Sequence, residues 1–288
     1  MTDLAPQLQG MLLRYPTKPG VQAFSTTRHG GVSHGAYATF NANHYCGDNH
    51  DDVRTNRQRL ADALGIPYAN IIVPHQTHSV NIAIVDRPTT DLEAIDAVVT
   101  DRPGLCLCVS TADCIPVLLY DNVHHAIAAI HAGWRGTLNR IVERTISCMQ
   151  EAYDTKPAQL NAIIGPGISL ESFEVGDEVY EAFSSHHFPI PQIARRYPVL
   201  TQSRTAAQPR QNTYQQTDGV PIDSAARAEK WHIDLWEANR LQLISCGVLP
   251  TNIHVAGICT YKSHADFFSA RRLGIKSGRI LTGILIDE

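Results

Sequence analysis

No two cysteines of this chain stand in a C-x-x-C spacing, and no stretch approaches the ~18 uninterrupted apolar residues of a membrane span. The opening segment, MTDLAPQLQGMLLRYPTKPG, lacks a basic stretch followed by an apolar core, so no secretory leader is expected. Neither G-x-G-x-x-G nor the Walker A pattern occurs, which removes the familiar nucleotide cradles. The zinc deaminase signature, H-x-E with P-C-x-x-C, is missing too. No H-x-H pair occurs, so the clustered histidines of a multicopper oxidase are not in evidence. Charge of one sign is also scarce. With 24 basic and 28 acidic residues the net charge is −4, and no general attraction to nucleic acid or an anionic membrane is expected.

What is present describes a folded protein. The 288 residues suffice for one large domain or two ordinary ones, and 43% hydrophobic with 18% charged residues can bury a substantial core. The seven cysteines are odd in number and lie mostly in apolar runs. Without a leader they are expected to be reduced thiols in the cytoplasm, one or more of them chemically active.

Short apolar runs rich in β-branched residues, at 21–27, 70–73, 80–85, 96–100, 104–110, 115–120 and 125–130, predict strands, several buried on both faces. The spacing predicts a helix over 51–65, closed by Gly65. After His131 the period changes. Leu138, Ile141, Val142, Thr145, Ile146 and Met149 form one stripe, predicting an amphipathic helix through GTLNRIVERTISCMQEAY. Further elements are expected as a strand at 160–165, a loop and helix in FEVGDEVYEAF, a helix over 232–248, and strands at 252–258 and 279–286. Residues 186–230 are polar and lack a hydrophobic period, so they are expected to form a long excursion. Strands and helices mix without regular βαβ alternation, which favours α+β or a mixed sheet over a doubly wound fold.

Three junctions carry the chemistry. VPHQTHS (73–79), TADC (111–114) and HAGWRG (131–136) each place His or Cys where an apolar run meets a turn. His78, Cys114 and His131 are the side chains zinc prefers, and three ligands with one open position is a catalytic arrangement. From the residues alone His75 is an equal candidate to His78. Cys114 could instead be a nucleophile activated by a histidine, or all three could be satisfied core residues. Asp113 fits either a base or a turn cap. Arg135 offers a guanidinium fork for phosphate or simply a solvent-facing charge.

The order of several longer motifs is more specific. FSTTRHGGVSHGAYATFNAN, CGDN, HQTHS, DAVVTDRPGLCLCVSTADCIPVLLYD, AIAAIHAGWRGT, IGPGIS and FFSARR follow one another in a sequence that closely resembles the YfiH or laccase-domain family, over about residues 20–286. The resemblance implies a single α+β domain, with a mixed sheet folded on itself and surrounded by helices. It implies a metal site at His78, Cys114 and His131, choosing His78 over His75. It carries two descriptions of activity: a copper-dependent laccase-like polyphenol oxidase, and a zinc-dependent purine nucleoside enzyme combining phosphorolysis with adenosine deamination. An editing role on peptidoglycan precursors, through a thiol hydrolase, is a third. A lone Cys–His₂ set suits Zn²⁺ better than Cu²⁺ in a multicopper centre, so the nucleoside activity is expected. The expected partners are small molecules, either a purine nucleoside with phosphate or phenols. Cys114, Asp113 and Arg57 are the catalytic candidates under this resemblance. Arg28, Asn41, His44, Asp48 and Arg135 are the candidates for substrate contact. The family's TGR near the C-terminus is SGR here, which keeps a hydroxyl.

Overall fold

The computed structural model describes residues 7–89, 91–198 and 229–287. The N-terminal strands are β1 (Gln7–Gln9), β2 (Leu12–Arg14) and β3 (Val21–Thr26), followed by α1 (His50–Leu64). Then come β4 (Ile71–Ile72), β5 (Ile82–Ile84), β6 (Ala97–Thr100), β7 (Cys106–Thr111), β8 (Ile115–Asp121) and β9 (Ala126–Ala132). Helices α2 (Trp134–Leu138) and α3 (Ile141–Tyr153) lead to β10 (Asn161–Ile164), β11 (Glu174–Val175), α4 (Asp177–Ser185) and α5 (Ile190–Ile193). Last are β12 (Ala194–Pro198), β13 (Glu229–Ile233), α6 (Leu235–Ser245), β14 (Ile253–Val255), α7 (Ala270–Leu273) and β15 (Ile280–Ile286).

Two six-stranded mixed sheets result, ordered β1-β2-β3-β15-β7-β4 and β14-β10-β8-β9-β6-β5, beside a three-stranded sheet β11-β13-β12. Each large sheet is mostly antiparallel, with parallel pairs at β7–β4, β10–β14 and β5–β6. This is the expected mixed α+β domain, its sheet divided into two that pack face to face.

The side-chain period of two explains the layering. Along β8, Ile115, Val117 and Leu119 pack with Ile141, Val142, Ile146 and Met149 of α3, whereas Leu118 and Tyr120 point between the sheets. β7 divides likewise: Leu107 and Val109 face the second sheet, and Cys106 and Cys108 face Leu60 and Leu64 of α1. Helices therefore cover both outer faces, and both large sheets read as nearly continuous apolar runs. Each fully buried Leu, Ile or Phe contributes roughly 1.5–3 kcal/mol through burial.

Local signals fixed several boundaries. Asn49 caps α1 by accepting from the backbone N–H groups of Asp51 and Asp52, and Gly65 ends it at φ 72°. The helix expected across 136–153 is broken in two, because Arg140 adopts φ 64°. Its guanidinium lies 3.8 Å over Phe188 and donates to the carbonyl of His186. His232 and Ile233, expected in a helix, instead extend β13. The excursion expected from residue 186 begins later, since Ile190–Ile193 forms a helical turn and Ala194–Pro198 a strand pairing with Glu229–Ile233. Buried Phe188 and Ile193 anchor that segment in the core. The remainder of the excursion, 199–228, lies outside the described residues.

Candidate metal centre and active site

The chain crosses from the first large sheet to the second between β4 and β5, and again between β7 and β8. The first crossing carries His78 and the second carries Cys114, at the same end of the sandwich. There β9 presents His131, whose register places it on the inter-sheet side with Ile127 and Ala129. The three side chains converge, their donor atoms all lying within 4.8 Å of one another. Cys114 Sγ is 3.6 Å from His78 Nε2, and the two imidazoles meet edge to face at 4.8 Å. His75 is not part of the group. Its ring stacks on Tyr45 at 4.1 Å, and its Nδ1 pairs with Glu93.

Both connecting turns hold unusual backbone conformations. His78 has φ 61° and Asp113 φ 86°, in the left-handed region that non-glycine residues enter at a cost. The surroundings enforce them. Gln76 forms a two-point amide clamp on Ser110 of β7, donating to its carbonyl at 2.9 Å and accepting from its N–H at 2.7 Å. The Asp113 carboxylate accepts from Thr260 Oγ1 and from the Arg271 backbone N–H, both at 2.7 Å. Both of its oxygens are thus engaged in holding the TADC turn against the segment before β15.

Asp96, a residue the sequence pattern did not single out, organises the centre. Its side chain is fully buried, and it accepts from His131 Nδ1 at 2.7 Å. It also accepts from the backbone N–H groups of Thr77, His78 and Ser79 and from the Ser79 hydroxyl. One carboxylate thereby fixes both the tautomer of His131 and the loop that carries His78. Burial alone would raise its pKa, but the bonds from His131 and Ser79 prevail and hold it at about 2. Burial would likewise raise Cys114, yet the His131 charge and bonds from both histidines bring it down to about 6. His131, disfavoured as a cation by burial, is lifted to about 9 by Cys114 and Asp96. The two shifts favour a thiolate beside an imidazolium, and a cation would take the place of the His131 proton.

The donor set fits a tetrahedral divalent ion. Bonds of ~2.0–2.3 Å place neighbouring ligand atoms ~3.4–3.8 Å apart, close to the separation of His78 and Cys114. Among the described residues this is the one group of three potential ligands so arranged. Gly133 completes the cradle: a Cβ there would come within 2.8 Å of His78 Cδ2 and 3.1 Å of Cys114 Sγ. Gly133→Ala is therefore expected to lower metal affinity tenfold or more while melting within a few degrees of the wild type, roughly the cost of a sulfur and an imidazole displaced from place. Metal analysis after dialysis checks this, and full retention of metal would refute it.

The centre opens into a cavity of about 460 Å³, lined also by Asn43, Tyr45, Thr111, Lys276 and Arg279. Arg28, Asn41, His44, Asp48 and Arg135, expected as substrate contacts, and Arg57, expected as catalytic, are not among its lining residues. Several are engaged by the protein itself, although Arg57 Nη2 is buried without a partner among the described residues. Arg28 donates to the carbonyls of Ala38 and His264, and Arg57 to that of Ala42. Asn41 donates to Asp48 and accepts from the Arg279 N–H. His44, pushed down to about 4 by burial and by Arg57 and His50, stacks on His50. Arg135 lies over its neighbour Trp134. Together the residues of 28–49 build the loop that brings Asn43, Tyr45 and Cys46 to the cavity. That loop also contains a Gly-x-Ser-x-Gly stretch, Gly31–Gly35, but Ser33 is buried and donates to Asp48, so it presents no nucleophile.

Residues 22–287 match the family described as Multi-copper polyphenol oxidoreductase laccase. A purine nucleoside phosphorylase of Bacteroides thetaiotaomicron is 44% identical over 277 residues, covering 93% of this chain and 92% of the relative. Adenosine deaminase RL5, from an unknown prokaryotic organism, is 38% identical over 276 residues, covering 92% of this chain and 94% of its own. The crystal structure of the hypothetical protein YfiH from Bacillus licheniformis superposes with a TM-score of 0.81 at 26% identity, over 97% of each chain.

Proposed function

This chain belongs to the Multi-copper polyphenol oxidoreductase laccase family, and on that footing we propose that it is a purine nucleoside enzyme using zinc held by His78, Cys114 and His131. Its reactions are phosphorolysis of adenosine, inosine or methylthioadenosine, and deamination of adenosine. The observation that carries the proposal is the single Cys–His₂ group at the foot of an open cavity. A four-copper oxidase needs further clusters of histidines, and among the described residues no second group of this kind occurs. The relatives named for phosphorolysis and for deamination support both reactions on this scaffold.

A divalent ion held there supplies Lewis acidity to an oxygen placed beside it. The chain's own groups do the rest. Asp96 keeps the Nδ1 proton on His131 so that Nε2 faces the cavity as a donor. The Tyr45–His75 stack offers a flat aromatic wall for a purine at the rim. In phosphorolysis a phosphate oxygen bonds to C1′ as the C1′–N9 bond breaks, and the electron pair leaves with the purine, which takes up a proton. In deamination water adds at C6 and the amino group departs as ammonia.

Protein purified without added metal, analysed for metal and assayed with inosine, adenosine and a phenol, tests this. Zinc near one per chain and hypoxanthine release that requires phosphate are expected. A strong chelator should abolish turnover and zinc should restore it. Phenol oxidation that tracks copper loading, with no nucleoside turnover, would overturn the proposal. So would nucleoside turnover undiminished in metal-free protein.

A further inference from the structure

Thr111 ends β7 and is 2% exposed, yet its hydroxyl has no hydrogen-bond partner among the described residues. It lines the same cavity as Cys114 and His131. Leu107 and Val109 face the second sheet, so Thr111, in step with them, turns its side chain to the side on which β9 presents His131. Buried hydroxyls almost always find a partner, and one left without is destabilising. Valine would fill this strand position at no such cost. An unpaired hydroxyl on a residue that lines a cavity beside a reactive centre therefore points to a ligand.

The charge around it indicates which kind. No aspartate or glutamate lines the cavity among the described residues, although the whole chain carries −4. The fixed charges are Lys276 and Arg279, both cationic, on the segment just before β15. Arg279 is held in place: its guanidinium donates to the carbonyls of Ser277, Gly278 and Ile275, and its backbone N–H to Asn41. A compact anion with several acceptor oxygens matches a hydroxyl donor and two cations.

We propose that Thr111, Lys276 and Arg279 form an oxyanion subsite inside the metal cavity, which seats a tetrahedral phosphoryl group. The nucleoside function proposed above identifies that group as inorganic phosphate, the attacking co-substrate; this identification, and not the subsite, rests on that function. The same chemistry would accept the phosphoryl group of a nucleotide.

The test is calorimetric titration of the zinc-loaded full chain with inorganic phosphate and, separately, with adenosine 5′-monophosphate. Wild type, Thr111→Val, Thr111→Ser and Lys276→Gln are compared. Thr111→Val is expected to weaken binding about tenfold or more, as loss of a charge-assisted hydrogen bond does. Thr111→Ser should stay within about threefold of the wild type, since it keeps the donor. The melting temperature of Thr111→Val should be unchanged or higher, a result that a merely structural hydroxyl would not give. Lys276 is exposed, so Lys276→Gln tests the subsite even where the core variant folds poorly. A loss with inorganic phosphate assigns the free anion, and a loss confined to the nucleotide assigns the esterified group. Wild-type protein that binds neither, or Thr111→Val and Lys276→Gln that bind both as tightly as the wild type, would overturn the subsite. Wild-type protein that binds phosphate but turns over no nucleoside leaves the subsite standing and overturns the function proposed above.

Discussion

Cys114→Ala is expected to leave a folded protein that retains no metal through dialysis and turns over nucleosides more than a hundredfold more slowly. Loss of a group that merely supports a ligand typically costs 10–100-fold in metal affinity, and removal of one of three direct ligands costs more. The fold should survive because Cys114 stands in a turn before β8, partly exposed, and Ala removes only its sulfur. Metal content and the melting temperature, read on the same preparation, separate a lost ligand from a lost fold. The variant also discriminates between the two chemistries open to a low-pKa thiol. Under the metal-ligand assignment, Cys114→His restores part of the metal binding, because imidazole can replace thiolate at zinc. A nucleophile could not be replaced in that way. Metal and activity both intact in Cys114→Ala would end the ligand assignment.

Asp96→Asn is expected to be the most destabilising single change at the centre. Five donors converge on this buried carboxylate, from Thr77, His78, Ser79 and His131. An amide would turn one N–H₂ toward backbone N–H groups that can only donate, leaving them unpaired in a buried site. Breaking a buried charged network of this kind costs about 3–5 kcal/mol, or roughly 6–15 °C in melting temperature for a domain of this size. Metal affinity should fall by 10–100-fold in addition, because Nδ1 of His131 loses its acceptor. Cobalt substitution gives a readout that stability alone does not move: the sulfur-to-metal absorption should shift as the His131 ring reorients. A second signature lies in acid. The Asp96 pKa is held at about 2 against 3.8 in an unfolded chain. Its depressed value means that the stabilisation is full above 3.8 and is lost as the pH falls through about 2. Asp96→Asn should lack that acid limb. A variant that unfolds in acid with the wild-type profile would show that the carboxylate contributes little.

How far these features could be foreseen depended on their range along the chain. The strands around the centre were legible because each is a compact apolar run, and α1 because a cap and Gly65 bracket a helical stripe. The candidate ligands came from motif order, since nothing local distinguishes His78 from His75. Their separation follows from tertiary contacts: Gln76 turns toward Ser110 while His75 stacks on Tyr45. Asp96 was hidden because a lone aspartate before an apolar run resembles any strand-initiating polar residue. Only the fold shows that three successive N–H groups and two side chains meet there. The basic residues of 28–57 misled for a related reason. Their motifs are as distinctive as those of the ligands, but they shape a loop, and the cavity receives Asn43 and Tyr45 instead. The split of the helix at Arg140 had no periodic signal, because Leu138 and Ile141 stay on one buried face across the break.

The placement of the ligands on two inter-sheet crossings has a further consequence. A cation bound by His78, Cys114 and His131 acts as a cross-link, tying together positions such as 78 and 114 that are 36 residues apart along the chain. Like a disulfide, such a link restricts the unfolded chain by closing loops, and unlike one it forms only in proportion to free metal. The two sheets are otherwise joined at this end by peptide turns, side-chain packing and the hydrogen bonds of Gln76, Asp96 and Asp113. On the proposed assignment, metal binding would therefore add to the stability of the sandwich, and the melting temperature should rise with free metal.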